Sequence, residues 1–319
     1  MLALSDKAES SGYRPTGARA ASEITSVVRV PRVSDFVALT KPEITFLVIL
    51  ATGLGSAMAS ESLDLLMLLH ALFGTAFVAS GAAALNQYLE RAHDAKMRRT
   101  ASRPLPAGRL TPREALYFGT GLSVAGTLYL AVTANTLTSI IGLAALLSYL
   151  LLYTPLKRRT HLCTLIGAFP GAAPVLMGWS TVQNNLAPQA WLLYAILFLW
   201  QFPHFLAIAW LYREDYAYAG MLMVPDGSDN TDTTFRQMWV ASLALITVTL
   251  VPSLIGMAGK LYLYLALLLG LGFLFSVYQA ASLRTKSAAR QLLKATVIYL
   301  PLLYLIMILD RARLLGNYT

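Results

Sequence analysis

Asn86, Glu90 and Asp94 stand four residues apart at the end of an apolar run, and Arg99 and Arg103 follow at once. On a helix each step of four advances about 40° around the axis. All three oxygen-bearing side chains then share one face over a rise of about 12 Å. One amide and two carboxylates are hard donors suited to Mg²⁺, which keeps several waters and is commonly shared between one or two carboxylates and the phosphates of a substrate. Nearby guanidinium groups can grip phosphate oxygens through two parallel hydrogen bonds. Metal ligands and arginines on one edge of a membrane segment point to a diphosphate that carries a lipid tail. The competing reading is a helix end whose acids pair with neighbouring arginines. It leaves unexplained why Asn86 and Glu90 sit at a membrane boundary, where ionisable groups are costly.

Two further segments carry chemistry. Tyr153-Thr154-Pro155-Leu156-Lys157-Arg158-Arg159 is an aromatic-proline turn followed by three bases. Charge there anchors a span by the positive-inside rule. Folded over the ladder, it would stabilise a departing anion. Trp200-Gln201-Phe202-Pro203-His204 lies in another apolar run and leads into Arg213-Glu214-Asp215-Tyr216. A histidine within the membrane is a functional candidate, and Glu214 and Asp215 could form a second metal site facing the first ladder. The alternative for these two acids is a solvated loop.

The elements that must position these groups are membrane helices. With 56% hydrophobic and 13% charged residues over 319 positions, the chain is far from a soluble domain. Nine runs approach the roughly 20 apolar residues of a helical span, at about 44–60, 63–89, 114–133, 137–154, 163–182, 190–212, 237–256, 261–283 and 291–309. The expected fold is therefore all-α, a polytopic membrane bundle of about nine transmembrane helices over residues 36–310. Residues 1–35 read as a disordered cytoplasmic tail and 311–319 as a short C-terminal tail. The tail has no apolar core of a secretory signal, and Asp6, Glu9 and Glu23 argue against a mitochondrial presequence.

Net charge +9 could suggest nucleic acid, but location decides. With the N-terminus cytoplasmic, all of the 25 lysines and arginines except Lys260, Arg311 and Arg313 fall on the inner side. The segments Glu90–Arg113 and Arg213–Arg236 follow even-numbered spans, so both face the cytoplasm and can meet. The single cysteine, Cys163, excludes an internal disulfide or a multi-cysteine metal site. Gly171, Pro174 and Gly178 admit two readings, close helix packing or a bent helix that makes room for a bulky ligand.

From Leu39-Thr40-Lys41-Pro42 to the ninth span, the chain resembles the intramembrane polyprenyltransferases of the UbiA superfamily, within it the branch that acts on heme. The resemblance is carried by Asn86-x-x-x-Glu90-x-x-x-Asp94 with Met97, Arg99-Thr100 and Arg103-Pro104-Leu105, and by Tyr153-Thr-Pro-Leu-Lys157-Arg158. Gly171-Ala-Ala-Pro174 to Gly178-Trp179 and Trp200-Gln-Phe-Pro-His204-Phe extend it, together with Arg213-Glu-Asp215-Tyr216 through Gly220 to Pro225. Relatives acting on aromatic acids carry a second aspartate pair spaced by four. Here Tyr212 and Tyr216 occupy those positions, with Asp215 beside them, which favours the heme branch. Cys163 stands where that branch is expected to have an asparagine.

What the resemblance implies is transfer of farnesyl from farnesyl diphosphate to a vinyl group of heme B, with water added, giving heme O. Its catalytic set would be Asn86, Glu90, Asp94, Lys157, His204 and Asp215. Mg²⁺ would be held by Asn86, Glu90 and Asp94, with Asp215 as a further ligand, and diphosphate by Arg99, Arg103, Lys157, Arg158 and Arg213. Heme would meet His204, Trp200 and Tyr216, with His204 either ligating iron or orienting water. A heme A synthase would receive the product at the bacterial inner membrane. The rivals are prenylation of a quinone or chlorin precursor, and a transporter with an ion path through Asn86, Glu90 and His204.

Overall fold

The computed structural model describes residues 32–62, 64–224 and 231–316. Expectations for the segment before residue 32, for Pro225, Asp226 and Asp229, and for residues 317–319 lie outside the described residues. The described chain forms α1 Val33–Leu39, α2 Pro42–Ala59, α3 Leu65–Asp94, α4 Pro112–Thr133, α5 Thr136–Leu147, α6 Thr154–Leu156, α7 Cys163–Gln183, α8 Pro188–Leu211, α9 Arg213–Tyr218, α10 Thr231–Leu254, α11 Lys260–Leu283 and α12 Lys286–Gly316. No strand occurs among the described residues. Nine helical stretches among them are long and apolar enough to cross a membrane, the fourth being α5 and α6 joined by a π-helical segment, Ser148–Tyr153.

Local chemistry sets the helix ends. The Asp64 carboxylate accepts from the Met67 amide at the start of α3. Thr111 and Glu114 close a reciprocal capping box at α4, and Asn135 accepts from the Thr138 amide at α5. The π segment ends next to Pro155. That residue has no N–H to donate, and in a regular helix its ring would crowd the Leu151 carbonyl. The Thr154 amide instead reaches back five residues to the Tyr149 carbonyl.

Helix α3 packs on α2 and α4, α2 on α7, and α7 on α5 and α8. Helix α8 packs on α10 and α12, α11 lies against α10 and α12, and α12 returns to α2. Large apolar side chains such as Phe73, Leu128, Leu151, Leu268, Phe275 and Ile298 point outward, as surfaces solvated by lipid do. Small residues make the closest seams. A Cβ on Gly55 would fall 2.1 Å from the Val175 carbonyl oxygen, and one on Gly178 1.9 Å from that of Thr52. One on Gly171 would meet the Gln201 amide oxygen at 1.9 Å. Neighbours fill the space beside Gly171 and Gly178, so the packing reading holds there and the ligand-room reading does not.

Three boundaries differ from expectation. Helix α1 begins inside the stretch read as tail. Helix α12 continues to Gly316, through residues read as C-terminal tail. The second charged connection contains a helix of its own, α9.

Helix α1 is fastened by charge: Arg109 Nε donates to Asp35 Oδ1 at 2.7 Å across 74 residues. That hydrogen bond holds the Asp35 carboxyl below its ordinary range. A depressed carboxyl stabilises the fold above its unfolded value, near 4, and loses that contribution as pH falls through the folded one. Asp35→Asn should therefore raise hydrogen exchange in residues 33–39 at neutral pH. Wild type should show the same rise only on acidification below about pH 4, and an unaltered exchange pattern in the variant would deny the tether.

Candidate active site

The ladder residues share one helix, as their spacing requires, and all three are buried: Asn86 at 1% exposure, Glu90 at 7% and Asp94 at 1%. Each meets a cation from another part of the chain. Lys41 Nζ donates to Asn86 Oδ1 at 3.2 Å, Lys157 Nζ to Glu90 Oε1 at 2.8 Å, and Arg103 to Asp94 Oδ2 at 2.8 Å. The Asn86 amide donates to Thr154 Oγ1 at 3.1 Å, so the π segment and α6 are docked on the ladder too. Lys157 also lies over the Tyr153 ring at 4.5 Å, and its carbonyl accepts from the Leu222 amide at 2.7 Å.

Electrostatics follow from this crowding. Burial pushes the Lys41 ammonium down to about 7, and the nearby charges of Arg103 and Lys157 add to that fall. At Lys157 burial also opposes the charge, but the Glu90 carboxylate outweighs it and holds the ammonium well above its ordinary range. Lys41 was legible in the sequence only as an inner-side charge. Its backbone sits in the left-handed region at φ 49°, immediately before Pro42, a conformation that costs a non-glycine residue energy.

The donor set fits a hard cation. Asp94 Oδ1 is buried and has no hydrogen-bond partner, and beside it are an amide oxygen and a second carboxylate. Among the described residues, no three His, Cys, Asp or Glu side chains gather as a ready-made metal cage. Remaining ligands would have to come from water and a substrate's phosphates, as Mg²⁺ permits.

The two charged connections do meet. Arg99 donates to the Tyr216 hydroxyl at 2.8 Å and lies over the rings of Tyr212 at 4.6 Å and Tyr216 at 5.3 Å. Its amide approaches Asp215 Oδ2 at 3.4 Å. Glu214 turns away to Lys286 at 3.0 Å, so the pair Glu214 and Asp215 does not face the ladder as a second site. Arg213 lies over the Trp210 ring at 4.2 Å and near Glu214; the structure does not bring it to the ladder. Arg158 lines a cleft of about 220 Å³ between α3 and the π segment, with Glu90, His93, Thr154, Leu89 and Leu151. Leu89 and Leu151 are exposed, so this cleft joins the ladder to the outer, lipid-facing surface. Another cleft, about 150 Å³ and lined by Ser56, Ser60 and Asp64, lies at the opposite ends of α2 and α3, away from these groups.

Trp200 and His204 form a separate group on α8. Their rings stack at 4.8 Å, while Tyr216 packs with Met97, Tyr153 and Cys163. The three residues expected at heme are thus divided between two places.

Comparison with known proteins decides the class: the sequence pattern described as the UbiA prenyltransferase family matches residues 46–300. The chain belongs to the UbiA prenyltransferase family. A protoheme IX farnesyltransferase of Solibacter usitatus is 50% identical over 87% of this chain and 98% of that one, and one of Koribacter versatilis 41% identical over 91% and 99%. Among solved structures, a digeranylgeranylglyceryl phosphate synthase matches with a TM-score of 0.73 at 18% identity, covering 88% of this chain and 98% of that one. A UbiA homolog from Archaeoglobus fulgidus bound to GPP and Mg²⁺ matches with a TM-score of 0.64 at 16% identity, covering 86% and 99%. At those identities the structures establish the UbiA fold alone. Family membership makes this chain a prenyltransferase and sets the transporter alternative aside.

The Glu90–Lys157 pair gives a test of the UbiA site as built. Lys157→Met leaves a buried carboxylate without its partner, which should cost about 3–5 kcal/mol. Lys157→Met combined with Glu90→Gln should recover much of that stability. Thermal unfolding of the purified variants measures both, and a single variant as stable as wild type would contradict the pairing.

Proposed function

We propose that this chain transfers a farnesyl group from farnesyl diphosphate to a vinyl group of heme B, forming heme O and diphosphate. The observation that carries the site assignment is the buried ladder, whose two carboxylates and amide face three cations in one cluster. Identity of 50% to a protoheme IX farnesyltransferase supports the acceptor.

Asn86, Glu90 and Asp94 are the residues that would hold Mg²⁺, with Asp215 at the rim. The ion would supply charge that stabilises the departing diphosphate. Lys41, Arg103 and Lys157 already surround the same oxygens and would turn to the phosphates. Arg158, which lines the cleft beside Glu90, and Arg99 would join them there. Scission of the allylic C–O bond sends the electron pair out with diphosphate and leaves an allylic cation. A heme vinyl group is a neutral, weak nucleophile, so the protein's main work is to favour diphosphate departure and to exclude stray water. The vinyl π electrons form the new C–C bond. Water then adds to the cation left on the porphyrin side chain and releases a proton, leaving a hydroxyethylfarnesyl substituent. His204 would contact the heme from α8 with Trp200 backing its ring, and Tyr216 would meet the heme at the loop end of the site.

The isoprenoid tail would reach the ladder through the cleft that opens at Leu89 and Leu151. The positive-inside distribution supports an orientation with the charged loops in the cytoplasm, and the chain would lie in a bacterial inner membrane. A heme A synthase would be the receiver of heme O.

Purified protein given farnesyl diphosphate and Mg²⁺ should modify heme B, with a mass gain of one farnesyl group plus one hydroxyl from water, and should leave 4-hydroxybenzoate unchanged. A product from 4-hydroxybenzoate alone would overturn the acceptor. Asp94→Asn should slow diphosphate release by at least about 10²-fold; an undiminished rate would overturn the ladder's role.

A further inference from the structure

Thr296, on α12, is a fully buried polar residue in an apolar span, and nothing in its sequence neighbourhood sets it apart. In the fold it is the hub of the group on α8. Its carbonyl accepts from Trp200 Nε1 at 2.9 Å, and its hydroxyl oxygen lies 2.8 Å from His204 Nδ1. The same hydroxyl donates to the Leu293 carbonyl at 2.6 Å. A threonine hydroxyl has one hydrogen. Two oxygens held at 2.6 Å need that hydrogen between them, and the Leu293 carbonyl has none to give. The Thr296 oxygen can then only accept from His204, so Nδ1 carries the imidazole proton.

A neutral imidazole protonated at Nδ1 has its lone pair at Nε2. Trp200, stacked on the ring at an interplanar angle of 19°, fixes the plane in which that lone pair points. His204 as a whole is only partly buried, while Thr296 and Trp200 behind it are closed off. Histidines that ligate metals characteristically donate their other ring N–H to an oxygen acceptor, which fixes the tautomer and raises ligand basicity. Ring stacking and a backbone-anchored hydroxyl supply that arrangement here.

The geometry points to Thr296 as a positioning residue that holds His204 in the Nδ1–H tautomer, so that Nε2 ligates the iron of the heme acceptor. This inference rests on the proposed heme reading and selects iron ligation over water orientation. Thr296 acts through the imidazole and does not itself touch the substrate. Its carbonyl contact to Trp200 belongs to the backbone and survives side-chain substitution, which lets the hydroxyl be tested alone.

Hemin titrated into the wild-type protein in lipid nanodiscs, without farnesyl diphosphate, should give the Soret band of histidine-ligated heme. His204→Gly should lose that band, and added imidazole should restore it. Thr296→Val, close in shape to threonine, should weaken hemin binding by about 10- to 100-fold and broaden or shift the band, while Thr296→Ser should behave as wild type. An unchanged Soret band in His204→Gly would overturn ligation even if turnover were lost. A Thr296→Val protein with wild-type affinity and spectrum would overturn the positioning role. Product mass separates the two levels: farnesylated heme formed with an unchanged His204→Gly spectrum defeats this inference and leaves the proposed function standing, whereas no farnesylated heme from the wild type defeats that function itself.

Discussion

Two carboxylates one helical turn apart and buried in protein at a membrane boundary repel each other and carry a desolvation cost of several kcal/mol each. Their neutralisation by cations from elsewhere in the chain is the constraint on which the charged end of this fold depends. Glu90 takes its partner from the residue after α6, Asp94 from the loop after α3, and Lys41 reaches in from the start of α2 to Asn86. Two of the three pairs, Lys41 with Asn86 and Lys157 with Glu90, join elements that are remote in sequence. Displacing any of these elements leaves a charge buried alone, so α2, α3 and the turn after α5 are held in mutual register by electrostatics as well as by packing.

Packing supplies the rigid frame. Gly55 and Gly178 bring the backbones of α2 and α7 so close that a methyl group on either would strike a carbonyl. The irregularity is concentrated in the fourth membrane helix, where Pro155 ends a π-helical segment. Such segments recur at functional sites because they re-aim side chains without ending the helix. Here the segment carries Tyr153 beneath Lys157 and brings Thr154 to Asn86.

Much of this was legible in the residues. Apolar run length gave the nine spans, a spacing of four gave the shared face of Asn86, Glu90 and Asp94, and the parity of spans gave the meeting of the two charged connections. What stayed hidden depends on partners far along the chain. Lys41 looks like any inner-side anchor until its ammonium is seen 45 residues away at Asn86, and Thr296 is one hydroxyl in an apolar run until Trp200 and His204 converge on it. Arg99 and Arg213 read as phosphate clamps by type; that Arg99 also rests against Tyr212 and Tyr216, and Arg213 against Trp210, depends on how the chain folds. Glycine spacing alone could not distinguish a cavity from a seam, because the atoms that fill the space beside Gly171 and Gly178 come from α8 and α2.

The contact between the two charged connections has a further consequence. Where an acid would make a salt bridge, Tyr212 and Tyr216 offer ring faces and one phenolic oxygen to Arg99. Mobile ions shield attraction between full charges at an exposed surface far more than they shield a cation resting against a ring quadrupole. The Arg99 contact is thereby less sensitive to the ionic strength of its surroundings than a salt bridge in its place would be, and its fastening is a matter of shape and polarisability as well as of one hydrogen bond.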